Sequence, residues 1–91
     1  MPLFTLTVRH GLSWFSTQLD APAAQVAVSH FLDEAYPAIR TDAFGIAAPD
    51  LKASDLVLFV PMDGLKNVWA ATAGRSGSYV ELVCSRTVGD D

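Results

Sequence analysis

Clustered positive charge is missing from this 91-residue chain: Arg9, Arg40, Lys52, Lys66, Arg75 and Arg86 are scattered singly along it. Proteins that grip nucleic acid displace counterions with a basic stripe, so direct nucleic-acid binding is not expected. Cysteine is nearly absent. The single Cys84 has no intramolecular disulfide partner, and Met1-Pro2-Leu3-Phe4 carries neither the charged nor the apolar region of a secretory signal. A reducing, cytoplasmic setting is the expectation. Long hydrophobic runs are also missing, since the strongest, Leu56 to Pro61, falls far short of the roughly 20 residues a spanning helix needs. No membrane span is expected.

Charge of either sign is sparse, at 18% against the roughly 25% of an ordinary soluble domain. Hydrophobic residues reach 51% and the mean hydropathy is +0.29, which supplies the apolar surface that disordered chains lack. The chain is therefore expected to fold with an under-charged surface that favours self-association. The net charge of −4 suits either simple solubility or a basic partner met by complementary potential. One domain spanning residues 1–88 is expected, followed by a frayed tail at 89–91.

Leu3 to Arg9 and Leu12 to Gln18 are rich in β-branched, aromatic and hydroxyl residues and flank His10-Gly11, which predicts a hairpin with a two-residue loop. Its alternation gathers Phe4, Leu6, Val8 and Phe15 on one face and leaves Leu12 and Trp14 among polar residues on the other. Asp20 as N-cap and Pro22 near the first turn predict a helix from about Ala21 to Tyr36, stopped by Pro37. Its apolar stripe, Ala24, Ala27, Val28, Phe31, Leu32 and Ala35, is expected to cover the hairpin, with alanines permitting close approach.

Residues 40–54 carry the weakest pattern, with a short strand at Phe44-Gly45-Ile46. Leu56 to Val60 is apolar at both parities, as expected of a strand covered on both faces or lying at the sheet centre. Asn67 to Ala73 and Ser78 to Val88 predict a second hairpin around Gly74-Arg75-Ser76-Gly77, with a loop of four residues or of only Ser76-Gly77. Either register puts Trp69, Ala71, Val80, Leu82 and Cys84 on a core face, with Tyr79 and Val83 opposite. The fold class is thus α+β: an antiparallel sheet of four or five strands with one main helix on one face, in the order ββαβββ.

Candidate chemistry is thin. His30 and Glu34 stand four apart on the helix beside Asp33, but a metal needs about three or four ligands, and His10 at a hairpin tip has no reason to converge on them. Cys84 reads as a buried structural thiol. The glycine pair at 74–77 joins two strands, whereas phosphate-cradling loops lead into a helix. Neither metal nor cofactor is expected. Pro2 is the sharpest catalytic candidate, because loss of Met1 would expose a secondary amine able to act as base or nucleophile. Met-Pro-Leu-Phe resembles the start of the tautomerases, which use an amino-terminal proline in this way; that family follows its first strand with a helix, where this chain predicts a second strand. The alternative is that Pro2 begins an edge strand.

Large apolar residues on outer faces are the more specific signal, because such side chains are enriched at interfaces. Trp14, Leu12, Tyr79 and Val83 are the predicted binding residues. The preferred function is a non-catalytic protein-binding module that self-associates through an outer sheet face or an edge strand. A finer version is a small acidic inhibitor of a basic, nucleic-acid-handling protein, in the manner of phage-encoded inhibitors. The alternative function is an enzyme built on Pro2.

Overall fold

A computed structural model describes residues 2–40, 49–75 and 77–87. The expected short strand at Phe44-Gly45-Ile46 and the tail at 89–91 lie outside the described residues. Five strands form one antiparallel sheet: β1 (Leu3–His10), β2 (Ser13–Asp20), β3 (Leu56–Pro61), β4 (Val68–Arg75) and β5 (Ser78–Arg86). Their spatial order is β2-β1-β5-β4-β3. The architecture is the expected α+β one; among the described residues one long helix and a short 3-10 turn (Ala53–Asp55) lie between β2 and β3.

Each hairpin shows how turn chemistry sets register. The first loop is Gly11-Leu12 rather than His10-Gly11, since His10 pairs with Ser13 and Arg9 with Trp14. Gly11 takes φ 62°, the positive value that a II′ turn requires at its first central position and that glycine adopts without steric cost. Relative to the expected pairing the register moves by two residues, so every side chain keeps its face. In the second hairpin Arg75 pairs with Ser78, which selects the shorter of the two expected loops. Asn67 stands outside β4 with φ 61°, a left-handed conformation that asparagine tolerates better than most residues.

The helix departs from expectation at both ends. It begins at Ala24 with Ala23 as N-cap, while Asp20 completes β2. It also passes through Pro37: α geometry over Ala24–His30 gives way to a π turn over Phe31–Ala35 and returns to α over Tyr36–Ile39. Proline lacks an N–H and its ring collides with the carbonyl four residues earlier. Widening the preceding turn, with the Tyr36 N–H bonded to the Phe31 carbonyl, accommodates the ring without ending the helix.

Ala24, Ala27, Val28, Phe31, Leu32 and Tyr36 bury one helix face against Phe4, Leu6, Val8, Val80, Leu82 and Cys84. The small alanines let Cα atoms of the first helical turns come within 8 Å of β1 and β5. Beyond the helix the same sheet face is filled by rings: Trp69 meets Phe4 edge-on at 6.1 Å and stacks on Phe59 at 6.5 Å. Leu51 closes this side and is fully buried.

Three polar ties hold the segment before β3 in place. The Tyr36 hydroxyl donates to the Pro49 carbonyl (2.7 Å), and Asp33 accepts the Ala53 N–H (2.8 Å). Asp55 accepts the Lys52 N–H (2.9 Å) and a two-pronged bond from Arg75 (2.9 and 3.2 Å). Burial raises the Tyr36 phenol above its ordinary range, an effect that Arg40 opposes and Asp50 adds to.

The main correction concerns β3. Its two-sided apolar pattern predicts a strand covered on both faces or at the sheet centre, whereas β3 is the outermost strand and, among the described residues, bonds to β4 alone. Val57, Leu58 and Val60 are exposed. Pro61 closes the strand and the pairing is irregular between Leu56 and Leu58, both features of sheet edges. Pro2, for its part, precedes an interior strand and not an edge strand, since β1 lies between β2 and β5.

Two stability measurements follow from this packing. Ala27→Leu inserts three carbons at a fully buried position of the helix–sheet core and should cost about 1–3 kcal/mol in urea denaturation; an unchanged midpoint would show that the packing there is loose. The Asp55 carboxyl is held below its usual value of 3.8, first by the Lys52 N–H and then by Arg75. Its contribution is therefore complete above that value and disappears as pH falls through the lower, folded-state pKa. Asp55→Asn should lower the melting temperature at pH 7, and the gap to the parent should close in strong acid; a gap independent of pH would sink the assignment.

Candidate interaction surface

Register fixes which side chains stand together on the sheet face opposite the helix. Trp14, Arg9, Glu81, Thr72 and Leu58 form one row across all five strands, and Ser16, Thr7, Val83, Ala70 and Val60 form the next. Gln18, Thr5, Ser85 and Val68 form a third, which Met62 extends by donating its N–H to the Val68 carbonyl at 3.0 Å. The second and third rows therefore run from polar residues on β2 and β1 to apolar ones on β4 and beyond, while the first has Trp14 on β2 and Thr72 on β4.

The polar half is largely satisfied within the chain. Thr7 and Ser16 share a hydrogen bond (2.9 Å), Gln18 donates to Thr5 (3.0 Å), and Thr5 bonds Thr87 (2.6 Å). Arg9 pairs with Glu81 and lies 5.4 Å from the centre of the Trp14 ring. An exposed pair of this kind adds only about 0–1 kcal/mol, but it neutralises the one carboxylate on the central strand's outer face.

The apolar half has no such internal partners. Leu58 (46% exposed), Val60 (40%), Val83 (38%) and Met62 (36%) lie on neighbouring strands around Ala70 and Val68. No described element covers them, because the helix, the rings of Phe59 and Trp69, and Leu51 all sit on the other face. Isolated exposed aliphatics are ordinary on protein surfaces, whereas a contiguous group of them is not.

Trp14, Leu12, Tyr79 and Val83 are all exposed, and the fold divides them. Val83 stands in the apolar half on the central strand. Tyr79 lies at its end, with a ring stacked so closely on Gly74 that a Cβ there would fall 2.0 Å from a ring carbon. Trp14 (62% exposed) and Leu12 (98%) occupy the far corner, at the tip of the first hairpin. Leu58, Val60 and Met62 were not among the expected binding residues. Their signal is Pro61: a proline closing an apolar run marks a sheet edge, and an edge strand flanked by one helix leaves one of its faces open.

The residues with reactive potential remain dispersed. His30 and Glu34 are exposed, while Asp33 is engaged by Ala53. Among the described residues no three of His, Cys, Asp and Glu gather as a metal site would require. The Pro2 carbonyl accepts the Ala21 N–H (3.1 Å), which fastens the start of β1 to the end of β2. An open depression lined by Thr5, Ser16, Thr17 and Gln18 contains hydroxyls and an amide but no group that would activate them. Among the described residues no helix is long and apolar enough to cross a membrane.

Cys84 is fully buried between Leu6 and Trp69 in the ladder, and burial pushes its thiol up to about 11. The neutral thiol is a poor nucleophile. Modification by a thiol reagent at pH 8 should therefore wait for unfolding and track its rate; labelling at the speed of a small free thiol would contradict this placement. The chain matches no family model, no curated protein and no solved structure.

Proposed function

We propose that this chain is a protein-binding module that works through the uncovered face of its sheet, centred on β3, β4 and β5. The carrying observation is the adjacency of Leu58, Val60, Met62 and Val83, four exposed aliphatic side chains with no covering element among the described residues. Their combined exposed area is on the order of 300 Å², within the size of the largest apolar patch on a typical monomer, which is often functional. Such residues contribute little to the isolated fold, since they stay in water, and they carry an aggregation risk. A surface that buries them against another protein gains what folding leaves unused.

The face is favoured over the β3 edge. Pro61 has no N–H to donate, and the irregularity between Leu56 and Leu58 breaks the ladder that an added strand would extend. A basic partner, the finer reading that the net charge of −4 suggests, would have to engage carboxylates outside this apolar patch, and its association would weaken with salt.

A photo-crosslinking residue at position 60, compared with one at Gln25 on the exposed side of the helix, tests the reading in the native host. Position 60 should give an adduct of discrete mass, whose binding is reproduced with purified components and lost in Val60→Asp. Equal labelling at both positions, or none at either, would refute it.

A further inference from the structure

We infer that the occupant of this sheet face is a second copy of the chain, packed face to face about a two-fold axis that runs across the strands. The inference rests on the proposed role of the face and adds the identity of the partner. Three observations support it: charge, area and the arrangement of the rows.

Two copies of an acidic chain repel each other at a distance, so their contact must be free of like charges. None of Leu58, Val60, Met62, Val68, Ala70 and Val83 is ionisable. Glu81, two residues from Val83 on the same face of β5, is neutralised by Arg9 of its own chain, which leaves that side of the patch flanked by a closed ion pair. A strongly basic partner would find no carboxylate within the apolar half to engage.

Area is the second consideration. With strands about 4.8 Å apart and about 3.3 Å of rise per residue, the outer face of a five-stranded sheet offers roughly 600 Å² per partner, the lower end of a stable interface. The apolar half alone falls short of that figure, so the partner must be broad and flat enough to cover the adjoining polar rows as well. Another copy of this face has that extent, and sheets pack face to face about 10 Å apart in sandwiches.

The rows then select the axis. Turning one copy about the row Val83–Ala70–Val60 sets those residues against themselves, Leu58 against Met62 of the second copy and Glu81 against its Ser85. The apolar centre of the face thus meets itself, with Val68 against the second copy's Thr72 beside it, and no two carboxylates of these rows face each other. An axis along β5 would lay β3 on β2 of the second copy, placing Val60 on Ser16 and Val68 on Thr5. That arrangement sets the whole apolar half on the polar half and leaves Val60 with no aliphatic partner. The contact is isologous, as two-fold dimers require.

Sedimentation of the purified full chain tests this. The parent protein should form a species of twice 9.7 kDa across the micromolar range. Val60→Asp places two carboxylates against each other at the axis and should weaken self-association at least about tenfold. Val26→Asp, a similarly exposed aliphatic on the helix, should leave it unchanged, and circular dichroism checks that both variants fold. Ala70→Cys should yield a covalent dimer with a short bis-maleimide, while Gln25→Cys should not. A monomeric parent overturns the inference; if position 60 still crosslinks to a different protein, only the occupant is wrong and the binding role stands. A dimer that survives Val60→Asp shows that the copies meet elsewhere.

Discussion

A helix with its side chains is about 10 Å across and neighbouring strands are about 4.8 Å apart, so one helix can shield roughly two strands. This sheet has five. The shortfall governs the rest of the molecule, because the strands that the helix cannot reach must be covered by other means or left in water. On the inner face the deficit is met by the rings of Phe4, Trp69 and Phe59 and by Leu51. On the outer face no described element meets it.

Placement of the helix follows from the same constraint. Alanines at 24 and 27 draw it down over β1 and β5, near the middle of the sheet, where it protects the strands with the most ladder bonds. The segment preceding β3 must then be pinned separately, and short polar contacts do this: Tyr36 to Pro49, Asp33 to Ala53, and Asp55 to Lys52 and Arg75. The π turn before Pro37 belongs to this arrangement, since it lets the helix continue far enough for Tyr36 to reach the Pro49 carbonyl.

The outer face consequently carries two surfaces with different energetics. Around β1 and β2, hydroxyls, an amide and an ion pair bond to one another and gain little from a partner. Around β3, β4 and β5, aliphatic side chains lie side by side with only water to meet. Reactive side chains are kept apart by the same layout: Cys84 is enclosed in the core, and His30 and Glu34 point away from the sheet on the helix.

Much of the fold is legible in local pattern. Alternation along Leu3–Arg9 and Ser78–Arg86 assigns each side chain to a face, and because a two-residue slip preserves that assignment, Phe4, Leu6 and Val8 reach the core even though the expected first turn was displaced. The exposure of Trp14, Leu12, Tyr79 and Val83 is legible for the same reason. Strand order is not, since it depends on which edges pair over long sequence separations. A run such as Leu56–Val60 carries the same apolar signature whether it is covered on both sides or lies outermost with one face bare. Helix length was likewise decided in three dimensions, where burial of Tyr36 and its bond to Pro49 outweigh the local tendency of Pro37 to stop the chain. By itself the sequence determined the two faces of β1, β2, β4 and β5 and the scattering of reactive groups; the tertiary structure decided the faces of β3 and which apolar face stays uncovered, because one helix can shield only part of five strands.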